Sequence, residues 1–156
     1  MRCWRIVKSR RAGEALSGEG ARIYGGRWNH AGLNIVYAST SLSLAALEVF
    51  VHLDRYDTGL RFTAIELDVP DTSMDLLDVN ALPERWRSFP APDACKEIGT
   101  RWAREQRSLS LLVPSIIVPQ EHNVLISCDH ALFDRVRVVS THDFAFDTRL
   151  WKSTFM

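Results

Sequence analysis

The chain is short of most features that mark a specialised protein class. Its three cysteines, Cys3, Cys95 and Cys128, are scattered over 156 residues with no C-x-x-C pair. A disulfide framework or a structural zinc site is therefore not expected, and a reducing compartment, the cytoplasm, fits this usage. There is no surplus of either charge: 19 lysines and arginines face 19 aspartates and glutamates. A general nucleic-acid binder normally carries a basic excess, so direct nucleic-acid binding is not expected. No apolar run reaches the roughly 20 residues of a membrane span. The opening residues Met1-Arg2-Cys3-Trp4-Arg5-Ile6-Val7 lack the long apolar stretch of a signal peptide. Internal repeats, low-complexity tracts and linkers are also missing. With 46% hydrophobic and 24% charged residues, residues 1–156 read as one globular domain.

What the chain does have is a dense hexapeptide, Tyr24-Gly25-Gly26-Arg27-Trp28-Asn29. Two glycines allow positive φ or close backbone approach. The guanidinium of Arg27 offers a planar five-donor fork suited to phosphate or carboxylate. Tyr24 and Trp28 offer faces on which a flat ring can stack. The plainer alternative is a glycine turn with Arg27 in a structural ion pair and Trp28 in the core.

Alternation predicts a first strand over residues 3–8, followed by a polar, glycine-bearing loop over 9–20. A β-branched and aromatic run predicts a second strand over 33–38. Ser39-Thr40-Ser41 offers N-caps for a helix over 42–53. In that helix Leu44, Leu47 and Val51 are expected to form the core face, which puts Glu48 among apolar neighbours. A carboxylate there needs a partner, and His52 or an arginine is the expected one. A third strand is predicted over 60–69 and irregular chain over 71–92, with room for one turn at Pro83-Glu84-Arg85-Trp86. A helix starting at Asp93 or Ala94 runs to about Arg107, with Cys95, Ile98, Gly99 and Trp102 inward and Arg101, Arg104 and Arg107 solvated. Residues 109–118 read as two buried β segments flanking Pro114-Ser115. The proline there turns the Ser115 hydroxyl out of the regular ladder. Residues 121–123 form a loop, 124–126 a short strand and 133–140 a last strand. The aromatics of 144–151 pack on the periphery or at an interface.

Other chemistries fit less well. His122, Cys128, Asp129 and His130 are ligand-type residues without finger or H-E-x-x-H spacing, so no metal is expected. Ser115 lacks the G-x-S-x-G context of a serine hydrolase. No Rossmann or P-loop fingerprint occurs. A ribonuclease or a non-catalytic binding module remains as an alternative of another class.

Taken in order, the hexapeptide with Val36-Tyr37-Ala38-Ser39, then Ala45-Ala46-Leu47-Glu48, then Leu112-Val113-Pro114-Ser115 resemble the RES domain, the toxin half of RES–Xre toxin–antitoxin pairs. Ile98-Gly99 with Trp102, the spaced Pro119, Glu121, Asn123 and Leu125, and Phe146-Asp147 with Arg149-Leu150 support the match. Val124 and Ser127-Cys128 depart from it, where the family often has an aromatic residue and an asparagine-proline. The resemblance implies an α/β (α+β) fold related to ADP-ribosyltransferases, a central split mixed β-sheet flanked by helices. It implies NAD+ as substrate, with no resident cofactor or metal. The nicotinamide–ribose bond would be cleaved by hydrolysis, by phosphorolysis with inorganic phosphate as co-substrate, or by ADP-ribosyl transfer to a protein. The catalytic residues implied are Arg27, Glu48 and Ser115, with Tyr24, Arg27, Trp28, Asn29 and Tyr37 binding NAD+. Ser115 is expected to meet the nicotinamide carboxamide or to position the acceptor. The implied partner is an Xre-like helix-turn-helix antitoxin, and the apolar and aromatic residues of the tail offer an interface for it or for a second copy of the chain.

Overall fold

A computed structural model describes residues 1–152. Its centre is a seven-stranded sheet built from β1 (Arg2–Lys8), β2 (Ile35–Ser39), β3 (Phe62–Asp68), β4 (Met74–Leu76), β5 (Ser110–Pro114), β6 (His122–Ser127) and β7 (Arg137–Phe144). The strand order is β4-β5-β6-β2-β1-β3-β7. β4 and β5 run parallel and the other neighbours antiparallel. Three helices of the α type complete the fold: α1 (Glu19–Tyr24), α2 (Leu42–Phe50) and α3 (Asp93–Arg104). None of the helices among the described residues is long and apolar enough to cross a membrane.

The sheet is mixed, as expected, and it is split. β1 pairs with β3 along its whole length, from Arg2↔Asp68 to Lys8↔Phe62. On its other side it meets β2 at a single position, Trp4↔Ser39. Beyond that point the two strands diverge, and the backbone edges of β1 and β2 face a gap. Such unpaired edges need other partners.

Side-chain alternation sorts the core into three clusters. Val36, Ala38, Val124 and Ile126 pack with Cys3, Ile65 and Leu67 on one face. Ile35, Leu111, Val113 and Leu125 point the other way, onto Trp28 and the α3 residues Cys95 and Trp102. Ile6, Phe62 and Ala64 meet Ala45 of α2 and Phe146. Phe146 is the hub of the tail aromatics, 5.5 Å from Phe50, 5.1 Å from Phe62 and 5.0 Å from Phe144. The tail therefore packs its aromatics largely inward and leaves Leu150 exposed.

Several sequence expectations change. Residues 9–20 are not simply a loop, since a 3-10 turn (Ser9–Glu14) and the start of α1 lie there. Helix α2 ends at Phe50, and its inward residues are Leu44 and Ala45, while Leu47 and Val51 are 40% and 56% exposed. The three- and four-residue spacing of leucines thus picked the wrong face. Glu48 sits one turn beyond Leu44 and Ala45, so it points with them. Residues 116–118 form a bend, not a second strand. The loop expected at 121–123 largely joins β6, because His122 and Asn123 pair with Pro114 and Val113. The last strand starts later than expected, at Arg137, after a 3-10 turn over Phe133–Arg135.

Candidate functional site

The divergence of β1 from β2 opens a cleft of about 1120 Å3. Ordinary ligand pockets run to roughly 300–1,000 Å3, so this one suits an extended substrate. Its walls come from β1, α1, the glycine hexapeptide, β2, α2 and the bend after β5.

Glu48 enters from α2. Its Oε1 accepts the Ser115 hydroxyl at 2.7 Å and the Asn123 side-chain amide at 2.6 Å. Asn123 is fixed in turn by the Ser39 hydroxyl, which donates to its Oδ1 at 2.7 Å. Ser115 is fully buried, and its oxygen accepts the backbone N–H groups of Ile117 and Val118 at 3.0 and 3.1 Å. The bend after Pro114 thus wraps one hydroxyl and aims its proton at the carboxylate. Oε2 has no protein partner among the described residues and is not a buried orphan, so it is presented to the cleft. His52, the partner expected for Glu48, is exposed and makes no such bond. Ser115 is also not placed to touch a carboxamide directly, since its hydroxyl is fully engaged.

The hexapeptide forms a tight loop after α1, closed by a Gly26↔Asn29 bridge. Gly25 has φ +69°, which favours glycine. Gly26 is needed for space: a Cβ there would lie 2.6 Å from the Tyr37 hydroxyl. Tyr37, from β2, donates to Asn29 Oδ1 at 2.6 Å and accepts the Trp28 N–H at 3.3 Å. Burial pushes the Tyr37 phenol up, partly opposed by the Trp28 N–H and the Arg27 charge, so it stays protonated. Asn29 is fully buried and also donates to the carbonyls of Ala21 and His30. Trp28 is 2% exposed and packs in the core. The core placement offered as the plainer alternative for Trp28 is the observed one, and Asn29 stands behind Tyr37, not at the cleft wall. A Cβ on Gly99 of α3 would overlap the Trp28 carbonyl oxygen, which explains glycine there. His30 completes the anchorage, its Nε2 2.6 Å from Asp93 and its N–H donating to Thr100 at 2.9 Å.

Arg27 is half-buried and forms no ion pair among the described residues. Its Nη1 donates to the carbonyls of Trp86 and Ser88 at 2.8 and 3.0 Å, leaving the other edge of the guanidinium without a protein partner. Tyr24, by contrast, is 84% exposed at the cleft mouth.

Besides Asn123 and Ser39, which hold Glu48, a further residue of the site escaped the sequence reading. Arg5 of β1 reaches across the split and donates from Nη1 to the Tyr37 carbonyl at 2.6 Å. It lines the cleft, no carboxylate pairs with it among the described residues, and its buried Nε has no acceptor. Burial pushes its guanidinium down from the ordinary value, opposed by the neighbouring Cys128. An arginine buried without a counter-charge is costly unless an anion joins it. The available signal was its register: Cys3, Arg5 and Val7 share one strand face, and the other two are apolar.

The arrangement is a cleft with one anchored carboxylate, two arginines with free donors and two tyrosines of opposite exposure. Comparisons with known proteins identify the family and the fold. The RES domain model matches residues 2–147. The chain is 41% identical over 151 residues to "Toxin Res" of Yersinia enterocolitica, covering 96% of this chain and 99% of the relative. It is 40% identical over 152 residues to the "Prs ADP-ribosylating toxin" of a Sphingobium species, covering 94% of each. Among solved structures, the M. tuberculosis MbcT-MbcA toxin-antitoxin complex contains a chain with the same fold, at a TM-score of 0.74 and 20% identity, over 92% of this chain and 84% of that one. With a model match over nearly its whole length and relatives near 40% identity, this chain belongs to the RES domain family.

Proposed function

We propose that the protein is the toxin of a toxin–antitoxin pair and that it consumes NAD+ by breaking the nicotinamide–ribose bond. The observation that carries this reading is the state of Glu48. One oxygen is immobilised by Ser115 and Asn123, and the other faces a cleft of dinucleotide size. A ribose 2′-hydroxyl donating to Oε2 would place negative charge beside C1′. As the C1′–N bond breaks, its electron pair leaves with neutral nicotinamide and the ribose becomes oxocarbenium-like. A fixed carboxylate stabilises that cation more than the ground state, which is the condition for catalysis. An acceptor oxygen then bonds to C1′ and loses its proton to solvent or to Glu48.

The other residues take supporting roles. Arg5 and the free edge of Arg27 supply positive charge for the pyrophosphate. The Tyr37 ring offers a platform for nicotinamide, held in place by Asn29 and by the tight fit against Gly26. Ser115 and Asn123 position Glu48, and Trp28 and Asn29 support the loop that carries Arg27. Water, phosphate or a protein side chain can each serve as acceptor; the likeness to the Sphingobium ADP-ribosylating toxin makes protein ADP-ribosylation the second reading. The likeness to a chain of the M. tuberculosis toxin-antitoxin complex motivates an antitoxin partner here. We expect that partner to be Xre-like and to cover the cleft, in a complex that holds a second copy of the toxin.

The test is product analysis of NAD+ incubated with the purified protein, with and without phosphate, and with Glu48→Gln as control. Free nicotinamide produced only by the unaltered protein supports the reading, and the accompanying ADP-ribose product identifies the acceptor. Absence of nicotinamide, together with absence of label transfer from NAD+ to any protein, would refute it.

A further inference from the structure

Phe89 is the most exposed large hydrophobic residue described, at 86%, and it lies at the cleft that holds Glu48. An exposed phenyl ring is ordinary on a loose loop. This one is not on a loose loop. Arg27 holds the segment just before it, through the carbonyls of Trp86 and Ser88. Arg87 ties the same segment to the bend after Ser115, donating to the Ile116 carbonyl at 2.9 Å. The Trp86 ring packs 6.4 Å from the Trp28 ring, and Pro90 and Pro92 restrict the backbone beyond. The phenyl group thus follows an anchored segment and precedes a proline-stiffened one, yet it buries almost nothing. It has no polar atom to offer. What remains is a preorganised aromatic face beside the cleft.

We propose that Phe89 is the stacking platform for the adenine ring of the dinucleotide. This deepens the NAD+ reading and rests on it. The anchored carboxylate fixes where the scissile ribose must sit, and Asn123 and Ser39 join it to β2, the strand that carries the half-buried Tyr37. In this proposal the nicotinamide end lies inward, beside Glu48 and Tyr37, and the adenosine end of the same molecule reaches the exposed rings of the cleft wall. Tyr24 and Phe89 are the two highly exposed rings that line the cleft, with the Lys96 ammonium in the same wall. A purine offers a broad π-face, and stacking tolerates an exposed site because it needs only one wall. Arg27 gives the platform a link to the pyrophosphate subsite, since one guanidinium both faces the cleft and secures the segment before Phe89.

Phe89→Ala removes no buried contact, so the melting temperature should not move. Its KM for NAD+ should rise about tenfold, equivalent to ~1.4 kcal/mol, and Phe89→Trp should bring KM back to or below the original value. Adenosine monophosphate should inhibit the unaltered protein and lose that inhibition in Phe89→Ala, whereas pyrophosphate inhibition should be the same in both. An unchanged KM in Phe89→Ala, or a tenfold rise that tryptophan does not reverse, overturns the assignment. Weakened antitoxin binding with an unchanged KM also overturns it, and gives the ring to a protein interface. Failure of the NAD+ reading is a separate result, because the unaltered protein would then release no nicotinamide. In that event, calorimetric titration with adenosine monophosphate decides the platform: heat lost in Phe89→Ala sustains it, and no heat with the unaltered protein ends it.

Discussion

Glu48→Gln separates chemistry from architecture more cleanly than any other single change. Both neighbours of Oε1 are donors: the Ser115 hydroxyl, whose oxygen already accepts two backbone amides, and the Asn123 side-chain amide, whose oxygen accepts from Ser39. Glutamine must therefore put its carbonyl oxygen where Oε1 was and turn its NH2 group into the cleft. The internal network survives with two neutral hydrogen bonds in place of two charge-assisted ones. Each such exchange loses about 1 kcal/mol, partly offset by removing a charge from a half-buried site. We expect a net loss of at most ~2 kcal/mol, or a melting temperature lower by roughly 4–8 °C for a chain of this size. Activity should respond very differently. The group facing the ribose becomes a neutral donor where an anionic acceptor is needed, and the 2′-hydroxyl loses its partner as the cation develops. A loss of about 3–5 kcal/mol in transition-state stabilisation lowers kcat by roughly 10²- to 10⁴-fold. The assay is nicotinamide release under saturating NAD+, beside thermal unfolding of the same preparation. Full activity in Glu48→Gln would refute the carboxylate's role. A protein that no longer folds would refute the claim that glutamine satisfies the network.

Four further outcomes follow from the same geometry. Ser115→Ala should cost more stability than Glu48→Gln, about 3–5 kcal/mol in denaturant unfolding, because two amides and a carboxylate oxygen lose one buried partner. Gly26→Ala drives a methyl group against the Tyr37 hydroxyl, and should lower both stability, by about 2 kcal/mol, and kcat/KM in steady-state assays. Arg5→Met keeps the length of the side chain but removes its charge and its bond to the Tyr37 carbonyl; KM for NAD+ should rise at least about tenfold, while a methionine that binds NAD+ normally would exclude Arg5 from the site. Burial pushes the Cys3 thiol up to about 12 and the Cys128 thiol up to about 11. The folded state therefore holds these protons more tightly than the unfolded chain, so stability is complete below the ordinary thiol value near pH 8.5 and declines as pH rises through 9 to 11. Urea unfolding at pH 7.5 and 10 checks the sign, and alanine at both positions should flatten that slope.

How much of this was legible depends on what kind of signal each element leaves. Strands β1 and β3 carry alternating apolar residues and were legible, as were the Gly99 and Trp102 positions of α3, because half-buried elements write their period into the chain. Helix α1 follows a polar, glycine-bearing stretch with only Ala21 buried, so it has no face for periodicity to detect. Strand β4 is three residues long and falls inside a proline-rich region, too short to show alternation. Helix α2 misled for a different reason. It is apolar nearly all round, so spacing could not say whether Ala45 or Leu47 points inward. The oddness of a glutamate in that helix was visible, but its partners lie 67 and 75 residues away, beyond the reach of any local rule. Helical proximity suggested His52, whereas the tertiary fold supplied Ser115 and Asn123.

The site and the weakness of the sheet have one cause. A continuous ladder between β1 and β2 would satisfy more backbone groups and leave no cleft between the strands. With only Trp4↔Ser39 paired, the seam must be held by side chains, and Arg5 does so by bonding to the Tyr37 carbonyl. That solution brings a buried cation into the gap with no carboxylate paired to it among the described residues, which is a cost to the fold. We expect an anionic substrate to relieve that imbalance, so that part of its affinity would come from pairing Arg5. The same logic reaches Glu48, whose Oε2 has no protein partner among the described residues. A ligand that carries both an anion and a hydroxyl donor would, on the proposed reading, bond to both groups. Ligand-induced stabilisation should therefore depend on both groups: a compound with pyrophosphate alone should raise the melting temperature of the unaltered protein but not of Arg5→Met, and adding the ribose should raise it further only while Glu48 is present.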